Sequence, residues 1–123
     1  MDLVVVLIKP GFPGIAQEAS DLIEQMGYAI LGQKRVIFDS ELIAQFWPEQ
    51  SEHWGKLLDY LGGQETLALL VLGERTLDVF REFKERVSRE AGLTNPKDAI
   101  HSSDCAAIAE RELQVIFGDQ SGK

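Results

Sequence analysis

Two stretches of the chain are apolar almost without interruption: Leu3–Ile8 (LVVVLI) and Thr66–Leu72 (TLALLVL). A strand with one wet face alternates, so an unbroken β-branched run predicts a strand covered on both faces. Helical spacing follows the first run. Ile15, Ala19, Leu22, Ile23 and Met26 share one face. Pro10, Gly11, Pro13 and Gly14 make a tight turn ahead of them, and Gly27 supplies the stop. Tyr28–Phe38 is strand-like but polar in its middle at Gln33, Lys34 and Arg35, as an edge strand is. Ser40 is placed to N-cap a short helix that ends before Pro48.

A further helix is predicted over Glu52–Leu61, closed by Gly62-Gly63. Thr76 is placed to cap a helix whose buried stripe is Phe80, Phe83, Val87 and Ala91. Gly92–Lys97 reads as a loop, and Ala99-Ile100 with its neighbours as a short last strand. Ser103 or Asp104 then caps a final helix with Ala106, Ala109, Leu113 and Ile116 on one face. The order β-α-β-α-α-β-α-β-α contains two split βαβ units. It predicts an α/β (α+β) fold of the ferredoxin-like kind, a four-stranded antiparallel sheet covered by helices. That topology hosts many functions and decides no chemistry.

Length narrows the picture: 123 residues suit one domain, residues 1–123. A net charge of −8 argues against nucleic acid and anionic membranes as partners, while leaving room for a small phosphate ligand. The single cysteine forms no intrachain disulfide, and Leu3–Ile8 is too short for a membrane span and lacks the basic n-region and small-residue cleavage site expected of a signal peptide. A cytoplasmic location is the expectation.

The chemistry concentrates in DAIHSSDCAAIAEREL, residues 98–113. His101 stands where the last strand meets the final helix. By itself, such a histidine is an ordinary loop or cap residue. Arg75, Arg81, Lys84, Arg86 and Arg89 read as a solvated helix face balanced by Glu82, Glu85 and Glu90. His53 reads as a surface residue, and Cys105 as a buried one. Two histidines and one cysteine far apart offer no metal-ligand spacing.

Three segments, in order, give a family likeness. Lys9-Pro10 ends the first strand, Gly92-Leu93-Thr94-Asn95-Pro96 follows the fourth helix, and His101-Ser102-Ser103-Asp104 runs on to Ala109-Glu110-Arg111-Glu112. Over nearly its whole length the chain resembles the nucleoside diphosphate kinases, whose corresponding motifs are K-P-D, G-A-T-N-P and H-G-S-D-S with A-E-x-E. The resemblance implies that His101 accepts the γ-phosphate of a nucleoside triphosphate and passes it to a nucleoside diphosphate. It makes Glu112 the carboxylate that orients the ring and Ser103 a hydrogen-bonding helper. It puts Lys9 and Thr94 on the phosphates, with Mg²⁺ bridging those phosphates rather than bound by the protein directly. Trp54 falls where the family stacks a phenylalanine on the base, although core packing suits it equally. Phe46 falls where the family has a tyrosine near the nucleotide. A homodimer through Tyr28–Phe38 is implied as well.

The chain also departs from the pattern. The family's long loop between T-N-P and the histidine is missing, with only six residues between Thr94 and His101, and its phosphate-binding arginine goes with it. A second arginine aligns with Ser88, leaving Arg86 or Arg89 as substitutes. Asp98 takes an asparagine's place, and K-P-D has become Lys9-Pro10-Gly11. Charge-assisted hydrogen bonds of this kind are worth roughly 1.5–3 kcal/mol each. The alternative is therefore a catalytically weak or inactive member, a nucleotide-binding or oligomeric interaction module on the same fold.

Overall fold

A computed structural model describes residues 1–9, 11–90 and 100–121. Its elements run β1 (Asp2–Ile8), α1 (Pro13–Met26), β2 (Ala29–Ile37), α2 (Ser40–Phe46), a 3₁₀ turn (Pro48–His53), α3 (Trp54–Leu61), β3 (Glu65–Gly73), α4 (Thr76–Glu90), β4 (Ile100–Ser102) and α5 (Ala106–Ser121). The sheet has the order β2-β3-β1-β4, and every pair is antiparallel. This is the ferredoxin-like arrangement that the element order predicts.

β1 lies between β3 and β4, which explains its unbroken apolar run. Val4, Val6 and Ile8 pack with Ala19, Ile23, Phe80, Phe83 and Val87 of α1 and α4. Val5 and Leu7 point the other way, among Phe38, Ile43, Phe46, Trp47, Ile116 and Phe117. Each such side chain contributes roughly 1.5–3 kcal/mol when fully buried. β2 is an edge strand, as its polar middle predicts, and it slips register between Ile30 and Gly32.

Local chemistry sets the helix ends. Gly27 takes a left-handed φ of 69°, and the amides of Gly27 and Tyr28 donate to Glu24 and Ile23. Several expectations need correction. Pro13 and Gly14 belong to the first turn of α1 rather than to the loop, since proline is tolerated at N1. Asp39, not Ser40, caps α2: its carboxylate accepts from the Leu42 amide at 2.8 Å. Thr76 spends its hydroxyl on the Asp2 carbonyl at 2.7 Å and so ties α4 to the start of β1. The helix expected from Glu52 begins at Trp54, because Pro48–His53 winds as a 3₁₀ turn first. Cys105 is exposed just ahead of α5. The loop expected over residues 92–97, Ala91 and Ala99 all lie outside the described residues. Among the described residues, no helix is long and apolar enough to cross a membrane.

A candidate active site at the edge strand β4

β4 is three residues long, and its alternation sorts them. Ile100 faces the α1–α4 layer, while His101 pairs with Leu7 and faces the layer of α2, α3 and α5. α5 then folds back beside the strand. Its buried stripe is Ala109, Glu112, Ile116 and Phe117, with Ala106 exposed and Leu113 half-buried. The expected apolar face is thus rotated to take in a carboxylate.

Glu112 is 1% exposed, and both of its oxygens are engaged. Oε2 lies 2.8 Å from His101 Nε2, and Oε1 accepts from the Ser103 hydroxyl at 2.6 Å. The Ser103 oxygen in turn accepts from the Val5 amide at 3.0 Å. Ser103 therefore does not cap α5, as one reading of the sequence had it; its hydroxyl joins the carboxylate to the central strand. A carboxylate only accepts hydrogen bonds, so the imidazole proton sits on Nε2. Nδ1 keeps its lone pair. A hydrogen bond to a fixed carboxylate sets both the tautomer and the ring plane. The rings of Phe46 and Trp47 stand edge-on to the imidazole, with centroids 5.3 Å and 5.8 Å away.

A cavity of about 230 Å³ opens beside the ring, lined by Trp47, Gln50, Lys84, Ser102, Ile108 and Arg111 among others. Arg111 grips Glu49 with both terminal nitrogens, at 2.8 Å and 2.9 Å, and reaches the Phe46 carbonyl at 3.3 Å. This fork pins the 3₁₀ turn to α5, one residue from Glu112.

The structure thus brings His101, Ser103 and Glu112 together. Lys9 extends β1 on the same face as Leu7 and is buried, with Nζ 5.6 Å from the centre of the Tyr60 ring. Phe46 is fully buried against His101, so it supports the imidazole rather than lining open space. Trp54 is half-buried and donates its indole N–H to the Trp47 carbonyl at 2.8 Å, within the α2–α3 packing. Arg89 lines a different cleft, with Leu22, Phe83 and Arg86. Thr94 lies outside the described residues. Sequence reasoning missed Trp47, Gln50, Ser102 and Arg111 as cavity residues and read Lys84 as solvated; its side chain is only 12% exposed. Arg111 did stand inside the quoted A-E-R-E segment, next to Glu112, but its partner Glu49 is 62 residues away.

Fold and site together define a ferredoxin-like α/β protein with a histidine held by a buried carboxylate at an edge strand. Comparison with known proteins shows what the chain is similar to. The nucleoside diphosphate kinase of Deinococcus radiodurans is 28% identical, with 97% of this chain and 96% of that protein covered. The one from Pyrococcus furiosus is 28% identical over 95% of this chain and 83% of its own length. The Encephalitozoon cuniculi nucleoside diphosphate kinase superposes with a TM-score of 0.84 at 20% identity, covering 98% of this chain and 91% of that one. A Borrelia burgdorferi nucleoside-diphosphate kinase, with bound vanadate and ADP as a transition-state mimic, gives 0.76 at 18% identity over 97% and 88%. No family model matches the chain. Over nearly its whole length the chain is similar to these nucleoside diphosphate kinases in sequence and in fold. The Deinococcus alignment spans 140 positions against 123 residues here, so the relative carries residues this chain lacks.

Proposed function

We propose that the chain is a phosphotransferase that moves the γ-phosphate of a nucleoside triphosphate to a nucleoside diphosphate through His101. The observation that carries this is the Nε2–Glu112 hydrogen bond of 2.8 Å inside a buried relay. With Nε2 holding the proton, the Nδ1 lone pair attacks the γ-phosphorus. The bond from phosphorus to the bridging oxygen breaks, and the diphosphate leaves with that electron pair. In the second half a terminal oxygen of the acceptor diphosphate attacks the phosphorus and the P–N bond breaks, restoring the imidazole. Glu112 stabilises the cationic ring that forms, and Ser103 keeps Glu112 in place. Lys9, and Thr94 by family likeness, bind the phosphates, and Trp54 or the neighbouring aromatic wall receives the base.

Mg²⁺ enters on the nucleotide, as part of the substrate, where it neutralises phosphate charge. The donor set agrees with that. Glu112 is committed to His101 and Ser103, Glu49 is committed to Arg111, and Asp104 Oδ1 lies 3.9 Å from the Lys84 ammonium.

Incubation with Mg-ATP should add one phosphoryl group to the intact protein, stable in base and labile in acid. A nucleoside diphosphate should discharge it. His101→Asn should abolish the adduct without unfolding the chain, and Glu112→Gln should slow its formation. If no adduct forms at neutral or alkaline pH, the reading falls and the inactive binding module takes its place.

A homodimer through β2 is part of the same proposal. Ile30, Leu31 and Ile37 are exposed on this edge strand, a surface that strand pairing across a two-fold axis would cover. A monomer by light scattering at tens of micromolar would contradict it.

A further inference from the structure

Arg111 and Glu49 both line the cavity beside His101, although 62 residues separate them in the chain. The guanidinium grips the carboxylate through Nη1 at 2.8 Å and Nη2 at 2.9 Å, and Nη2 also donates to the Phe46 carbonyl at 3.3 Å. Nε is buried without a hydrogen-bond partner among the described residues, so the grip rests on the two terminal nitrogens. The side chains are 32% and 59% exposed, and water screening limits what such a pair adds to stability. What the fork supplies is geometry, because two parallel bonds fix direction as well as distance. Its acceptors lie on one short stretch, Phe46 to Glu49, and that stretch carries the aromatic wall. Phe46 ends α2, Trp47 follows it, and both rings stand against the imidazole. The next residue after Arg111 is Glu112, which holds Nε2.

We propose that Arg111, through Glu49, is a positioning residue for His101: it sets the spacing between the carboxylate that holds the imidazole and the aromatic wall beside it. The ring stands between the two. Its backbone belongs to a strand of three residues at the edge of the sheet, which is a weak mount for a nucleophile. Glu112 fixes one nitrogen, and Phe46 and Trp47 confine the ring from the side. A wall that drifts loosens the ring and takes Nδ1 off the line of attack. A displacement of about 1 Å at a reacting atom is enough to cost roughly a hundredfold in rate. Lysine would not replace the arginine, since its ammonium keeps the charge and loses the planar fork. That the ring is held for phosphate rests on the phosphotransfer reading; that Arg111 holds the ring does not.

The test compares the full chain with Arg111→Met, Arg111→Lys, Glu49→Gln and the double variant Arg111→Met with Glu49→Gln. Arg75→Met, which breaks an exposed pair with Asp78, is the control. Magnetic resonance with isotope-labelled histidine should show the His101 Nε2 proton protected from exchange with water in the parent and in Arg75→Met. That signal should broaden or vanish in Arg111→Met. At saturating Mg-ATP the adduct on His101 should form about tenfold more slowly in Arg111→Met and Arg111→Lys, and a few-fold more slowly in Glu49→Gln. The double variant also removes the carboxylate that Arg111→Met leaves bare. It should be as slow as Arg111→Met, because the two residues act as one unit. Recovery in the double variant, or a parental rate in Arg111→Lys, would assign the effect to charge and overturn the proposal. A pair that only stabilises would lower the melting temperature and leave the Nε2 proton and the saturated rate of the folded protein unchanged, which overturns it too. If Arg111→Met does not fold, Glu49→Gln and Arg111→Lys decide by the same readouts. If the parent forms no adduct while the Nε2 proton depends on Arg111, the positioning stands and the phosphotransfer reading falls.

Discussion

On the α1–α4 face of the sheet, Val4, Val6, Ile8, Phe80, Phe83 and Val87 pack together as an apolar cluster. On the opposite face the same kind of packing closes round Glu112, a carboxylate with 1% of its surface exposed. Burying an ion costs several kcal/mol, which only close and complete hydrogen bonding offsets. The first face is held by area, and any side chain of the right volume serves it. The second is held by a few directed bonds, Val5 to Ser103 to Glu112 to His101, and tolerates no substitution of type. A sequence keeps such an arrangement for what the imidazole does, since valine and leucine would fill the space at lower cost.

The two faces should therefore break differently. Phe80→Ala, on the apolar face, should lower stability by about 3–5 kcal/mol in denaturant unfolding through lost contacts and a cavity. Whatever folded protein remains should acquire phosphate on His101 at the parental rate; a slowed adduct would mean that the faces are not separable. Ser103→Ala removes one oxygen from the polar face. It strands the Val5 amide and one Glu112 oxygen, so about 1–3 kcal/mol should be lost, and adduct formation should slow as the carboxylate loosens. Unchanged stability and rate would show that the relay is not what fixes Glu112. The smallest effect concerns the aromatic wall, which α2 carries. Asp39→Ala should cost about 1 kcal/mol as a lost N-cap, whereas Ser40→Ala should be close to neutral. The reverse order, read from melting curves, would return the cap to Ser40.

Periodicity made the apolar face legible before any coordinates. The run Leu3–Ile8 says that both sides of β1 are covered, and Phe80, Phe83 and Val87 say which side of α4 is buried. The polar face was legible only in part. His101, Ser103 and Glu112 share one short segment, so the family likeness caught them together, and the structure brings them into one relay. Glu112 still breaks the helical pattern it belongs to, which is why the predicted stripe of α5 was rotated. Lys84, Arg111 and Glu49 meet around the cavity from three separate elements, and no local pattern announces such a meeting. The caps erred for a simpler reason: Asp39 and Ser40 are adjacent and both are good caps, so only the backbone at Asp39 decides between them. The oxygens of Thr76 and Ser103 were claimed by partners 74 and 98 residues away along the chain.

That last separation bears on the order of synthesis. The Val5 amide leaves the ribosome 98 residues ahead of the serine oxygen that will accept its hydrogen. In the interval β1 can pair with β3, and α1 and α4 can cover their face, using only residues already made. A nascent chain that has reached Glu90 owns three of the four strands and none of His101, Ser103 and Glu112. Translation thus supplies three of the four strands first and the His101–Ser103–Glu112 relay close to the end, so a message cut short yields a chain that has the central strand but none of the relay.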